Sequence, residues 1–168
     1  MIAWKFFAPG AVAPFTGVRW PATGWMESAA GPDNGVHACA VEHLPYWFDE
    51  ELWEVELDSP VSQGARQLVA RRGRLLVQID EWPKARAEFS LACVDRTRRR
   101  VEEALRRGDR SADFAGYLAD VIRRQPYPGA CAYIAARAAA AADGMPGHDQ
   151  ERAAQVEWLA SRLRLAHP

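Results

Sequence analysis

Cysteine is scarce in this chain. Its three cysteines, Cys39, Cys93 and Cys131, are widely spaced and include no C-x-x-C. An odd, scattered set gives no disulfide framework and fits a reducing compartment. A basic excess is missing too: 21 Lys+Arg stand against 22 Asp+Glu, a net charge of −1. Nucleic-acid affinity comes from neutralising phosphates, so no nucleic-acid partner is expected. No apolar run approaches the roughly 20 residues of a membrane span. The first apolar stretch carries one early cation, Lys5, and is broken by Pro9, Gly10 and Pro14. Neither a signal peptide nor a membrane partner is expected, and the cytoplasm is the expected location. There is no Gly/Ser linker and no internal repeat.

What is present suffices for a core. Hydrophobic residues make up 49% of the 168 and charged residues 26%, which excludes global disorder. Charge is divided unevenly: residues 1–82 hold 6 Lys+Arg and 11 Asp+Glu (net −5), and residues 83–168 hold 15 and 11 (net +4). Opposite signs favour docking of the two parts, weakened by salt. Cut at Trp82-Pro83, each piece would have about 80 residues, a size at which cores are thin. One domain over 1–168 is therefore expected, of class α+β. Its N-terminal half (1–82) is Trp-rich mixed or antiparallel β with a short helical turn, packed on a C-terminal bundle (83–168) of about four helices.

Ile2–Ala8 (IAWKFFA), stopped by Pro9-Gly10, reads as a first strand. Residues 9–34 are loop-rich, with extended pieces near Val18–Trp20 and Trp25–Glu27. Gly35–Val41 (GVHACAV) is apolar on both faces except at His37 and reads as a buried strand. His43–Phe48 predicts one helical turn with Pro45 in its first turn. Leu52–Leu57 (LWEVEL) alternates, with Trp53, Val55 and Leu57 on one face and Leu52, Glu54 and Glu56 on the other. Gln67–Arg71 and Arg74–Ile79 predict a hairpin about Arg72-Gly73, with Leu75, Val77 and Ile79 on a common face.

Beyond Trp82-Pro83 the period is helical. Lys84–Arg107 ends at Gly108, a C-cap residue. Ser111 then caps a helix with Phe114, Tyr117, Leu118, Val121 and Ile122 inward. Alanine-rich Ala130–Ala142 follows, then a break at Gly144-Met145-Pro146-Gly147, then Asp149–Leu165 with Val156, Leu159 and Leu163 inward. Glu102 and Glu103 lie four residues from Arg98 and Arg99 and from Arg106 and Arg107, which predicts a self-paired solvent face.

The residues capable of chemistry concentrate between Gly35 and Leu57. His37 and Cys39, two apart on a strand, leave the same face. If accessible, His37 is an acid–base or anchoring group. If buried, it is a histidine satisfied by main chain, beside a small apolar thiol. His37, Cys39, His43 and Asp49 are zinc-type donors, but paired short spacings are lacking, so no metal is expected. No motif specifies a cofactor.

Tyr46, Trp47 and Trp53 beside Asp49, Glu50 and Glu51 predict either core mass or a slot for a planar or cationic ligand. Glu54 and Glu56 are ordinary if solvated, and acid–base partners if they face His37 across a sheet. Arg71 and Arg72 make a solvated hairpin tip or an anion contact. The candidate catalytic residues are thus His37, Glu54 and Glu56. The candidate ligand contacts are Cys39, Tyr46, Trp47, Trp53, Arg71 and Arg72.

Gly35-Val36-His37-Ala38-Cys39, Leu44–Trp47 and Leu52–Leu57, with Lys5-Phe6 and Phe15-Thr16-Gly17, resemble an actinobacterial family over about the first 80 residues. That resemblance brings no activity with it. Gly35–Cys39 also resembles the Gly-x-His-x-Cys/Ser strand end of small ADP-ribosyltransferase-like domains, which implies a carboxylate role for Glu54 or Glu56. His37, Tyr46 and Glu56 are more closely spaced here than the His, Tyr and Glu of such enzymes.

Two readings stay open. One is a small-molecule or nucleotide ligand, bound or transformed at a pocket around His37. The other is a non-catalytic module with a protein partner, which exposed Trp and Tyr would mark. No motif decides whether the chain is an enzyme.

Overall fold

The computed structural model describes residues 1–28, 35–108, 113, 116–117, 120–121, 124 and 127–165. They divide into two compact units at the point where the sequence turns to helical patterning: Met1–Pro83 with Leu165, and Lys84–Arg164. The class is α+β, with two antiparallel sheets and helices.

In the first unit the strands are β1 (Ile2–Phe7), β2 (Met26–Glu27), β3 (Val36–Ala38), β4 (Glu51–Leu57), β5 (Val61–Gln63), β6 (Leu68–Ala70) and β7 (Arg72–Gln78), with a 3-10 turn at Val41–Tyr46. One sheet has the order β1-β4-β7-β2 and the other β3-β6-β5. Alternation along β1 and β4 sends Ala3, Phe7, Val55 and Leu57 into one core with Trp20, Val36, Ala38, Leu68 and Ala70. Trp53 packs against this core, so the predicted face of LWEVEL is the inner one. On the other face of β1, Phe6 lies 5.4 Å from Phe48 and 5.1 Å from Trp82, centroid to centroid. The Trp82 indole N–H donates to the Asp49 carbonyl at 2.8 Å.

The expected hairpin is corrected. β6 and β7 belong to different sheets, and Gly73 lies inside β7 rather than in a turn. A Cβ at Gly73 would come within 2.9 Å of Val36 Cγ1, 3.1 Å of Trp20 Cη2 and 3.2 Å of Leu57 Cδ2. Glycine stands there because side chains of both sheets close over it. The register pairs Val55 with Leu75 but Glu54 with Val77. That bulge turns Leu75 and Val77 to opposite faces instead of a common one, leaving Val77 56% exposed. The helical turn also begins earlier than predicted, because the His43 N–H already bonds the Ala40 carbonyl, so Pro45 lies inside it.

α1 (Trp82–Arg106), in the second unit from Lys84 onward, leads to Gly108, whose φ of 68° is the predicted left-handed cap. α2 (Pro128–Leu163) is one helical run kinked at Gly144, with φ 69°. Among the described residues the helices number three rather than about four, with the stretches before and after the expected Gly144 break running on as one kinked helix. Between α1 and α2, residues 113, 116, 117, 120, 121 and 124 are helical. Ser111, Phe114, Leu118 and Ile122 lie outside the described residues. Tyr117, expected inward, is 65% exposed.

The self-paired arginine face is also corrected. No ion pair among the described residues joins Glu102 or Glu103 to Arg98, Arg99, Arg106 or Arg107. Arg100 and Arg107 instead reach Asp143 of α2 at 3.1 and 3.4 Å. Arg96 grips the buried Glu151 with bonds of 2.9 to 3.1 Å. Carboxylates on the neighbouring helix, one of them desolvated, win over partners that water competes for. No described helix is long and apolar enough to cross a membrane.

Candidate functional site

β1 lies at the edge of its sheet, and its outer side meets the end of the His37 strand. Trp4 and Cys39 exchange two backbone hydrogen bonds of 2.8 Å there. Beside this bridge is a cavity of about 380 Å³, lined by residues 4–6 of β1, loop residues 14–16, residues 37–39, Trp47 and Gln67.

Each wall has a local cause. The Pro14–Thr16 turn is closed by bonds of 2.9 Å from Ala13 N–H to the Val18 carbonyl and from Gly17 N–H to the Ala13 carbonyl. The preceding bend is held by Glu51, which accepts from Gly10 N–H at 2.7 Å, Ala11 N–H at 3.1 Å and the Trp53 indole at 3.0 Å. Burial alone would raise the Glu51 pKa, but these bonds hold it below the ordinary carboxylate value. Trp47 follows the 3-10 turn and is fixed by its indole N–H, which donates to the Arg66 carbonyl at 2.9 Å. Its ring meets Phe15 edge-on, centroids 6.1 Å apart. Phe15 is 85% exposed. Gly35 lets β3 approach β6, because a Cβ there would meet the Val69 side chain and lie 2.7 Å from the Ala70 carbonyl oxygen.

His37 lines the cavity and is partly exposed. Its Nδ1 lies 3.1 Å from Gln67 Oε1. That acceptor makes Nδ1 the protonated nitrogen and leaves Nε2 without a partner among the described residues. Cys39 is buried, and desolvation pushes its thiol up to about 12, so it is a neutral wall and not a nucleophile.

Lys5 is the group that motif reading missed. It follows Ala3 and precedes Phe7 on the core-facing side of β1, a position where a cation is costly. Its ammonium donates to the His37 carbonyl at 2.7 Å and lies 5.3 Å from the Phe7 centroid. Burial lowers its pKa to about 8.

Of the expected site residues, His37, Cys39 and Trp47 come together at the cavity. The others lie elsewhere. Glu54 sits in the sheet between Trp4 and Val77, and Glu56 accepts from Arg74 at 2.6 Å. Neither carboxylate lines the cavity, although Glu54 shares its sheet face with the lining residue Trp4. Tyr46 lies under the Arg66 guanidinium at 4.0 Å, and Trp53 is bonded to Glu51. Arg72 pairs with Asp58 at 2.7 Å and lies over Trp25, and Arg71 is exposed. Among the described residues no group of three or more His, Cys, Asp or Glu is placed to hold a metal. None of the seven tryptophans is exposed. Comparison with family models, curated proteins and solved structures finds no match for this chain.

Proposed function

We propose that the first unit binds a small, largely apolar molecule in the cavity beside His37. The observation that carries this reading is the state of the His37 ring. It is partly exposed, oriented through one nitrogen by Gln67 and unpartnered at the other, on a cavity walled by Trp4, Phe6, Phe15 and Trp47. A buried structural histidine has its ring nitrogens satisfied within the fold, whereas this ring is partly exposed and turns one of them to a ligand or solvent.

A volume of about 380 Å³ is at the lower end of the roughly 300–1,000 Å³ of small-molecule sites, which favours a one- or two-ring ligand over a nucleotide. The reading is one of binding. Glu54 and Glu56 lie outside the cavity, and among the described residues no carboxylate lines it to complete an acid–base pair with His37.

The test is a thermal-shift screen of aromatic and aliphatic metabolites on the wild type and on His37→Ala. A ligand should raise the wild-type melting temperature by mass action, and the variant should lose that rise while its ligand-free melting stays near wild type. If His37→Ala itself unfolds the unit, the histidine is structural and the reading fails.

A further inference from the structure

Among the described residues the cavity is lined by one cation and no anion: Lys5 is the only Lys or Arg there, and no Asp or Glu lines it. Among the described residues no carboxylate pairs with Lys5, whose ammonium has the His37 carbonyl at 2.7 Å and the Phe7 and Trp20 rings at 5.3 and 5.7 Å. An ammonium has three N–H donors, so one carbonyl leaves two to be met from elsewhere. The adjacent thiol of Cys39, buried and protonated, supplies no negative charge. A cation in apolar surroundings is costly until something anionic joins it.

We propose that the ligand of this cavity is a small monocarboxylate with an aromatic or branched apolar body, its carboxylate paired to Lys5 and its body against Phe15 and Trp47. This rests on the reading that the cavity binds a small molecule. One ammonium matches one negative charge. A phosphate dianion calls for a second cation, and among the described residues no arginine lines the cavity: the Arg66 guanidinium lies over Tyr46, and Arg72 is paired to Asp58. The aromatic walls favour a flat or branched hydrocarbon body over a polar one.

The test is titration calorimetry at pH 7 with phenylacetate, indole-3-acetate and 4-methylpentanoate, each beside its own primary amide. The amide keeps the shape and removes the charge. At least one acid should bind on the order of tenfold or more tightly than its amide, as a desolvated charge-assisted bond requires. Lys5→Met should abolish that preference by weakening the acid alone, and Lys5→Arg should restore part of it.

If acid and amide bind equally to the wild type and both are lost in Trp47→Ala, the cavity binds small molecules but the anion proposal is overturned. If no probe binds in a Trp47-dependent manner, both fall. The acid–amide comparison uses wild-type protein, so it decides the matter even if Lys5→Met does not fold.

Discussion

Replacing Lys5 with methionine keeps an apolar stem across Phe7 and Trp20 and removes the charge. In the folded chain the amine pKa falls from 10.5 to about 8, chiefly because burial strips water from the ammonium. At about 1.4 kcal/mol per tenfold change in proton affinity, holding the charge there costs on the order of 3 kcal/mol. Losing the bond to the His37 carbonyl offsets about 1 kcal/mol of the relief. Lys5→Met should therefore be more stable than wild type by on the order of 2 kcal/mol at pH 7.

The pH dependence has a defined sign. Below pH 8 both folded and unfolded lysine hold the proton, and the cost is complete. Between about 8 and 10.5 the folded amine is neutral while the unfolded one stays charged, so wild-type stability rises with pH through this group. The thiols act oppositely. Cys39 and Cys93 are raised from 9.0 to about 12, so above pH 9 the folded state keeps protons that the unfolded chain gives up. Those thiols are common to both proteins, and the difference between wild type and variant isolates Lys5. The advantage of Lys5→Met should shrink by about 1 kcal/mol from pH 7 to pH 9.

Urea unfolding followed by tryptophan fluorescence reads this directly, since six of the seven tryptophans lie in Met1–Pro83. A variant less stable than wild type at pH 7, or an advantage unchanged at pH 9, refutes the reasoning.

Three further outcomes are expected. Gly73→Ala should lower stability by about 1–3 kcal/mol, because the added methyl overpacks the space between Val36, Trp20 and Leu57; an unchanged urea midpoint would contradict the closure of the two sheets over that residue. Glu151→Ala leaves Arg96 without its buried carboxylate and should cost about 3–5 kcal/mol by far-ultraviolet circular dichroism, with Arg96→Met/Glu151→Leu recovering much of the loss. Cys39, Cys93 and Cys131 are buried with raised thiol pKa values, so a disulfide reagent at pH 8 should find no fast-reacting thiol until denaturant is added; a rapid native reaction would show that one of these pockets is open.

Local chemistry made much of this readable before any contact was known. The alternation of LWEVEL, the Gly108 cap and the Gly144 break follow from periods of 2 and 3.6 residues and from where glycine is tolerated. Gly73 misled for the opposite reason. Arg-Gly-Arg between two apolar runs resembles a turn locally, and only the approach of Val36 and Trp20, far away in sequence, requires a missing Cβ there. Glu54 and Glu56 were assignable to one strand face, but what that face looks upon was not. Clustering in sequence brought Tyr46 and Trp53 into the candidate site alongside Trp47, although each is held elsewhere, by Arg66 and Glu51.

By itself the sequence determined that His37, Cys39 and Trp47 would be near one another, since a strand and a short turn carry them within eleven positions. It also put Lys5 in a first strand, without fixing which face the side chain takes. Only the tertiary structure decided that these belong to one cavity. Lys5 reaches the His37 carbonyl across 32 residues, and Gln67 orients the His37 ring across 30. Such contacts are set by how strands from distant segments pair, and no local periodicity encodes that pairing.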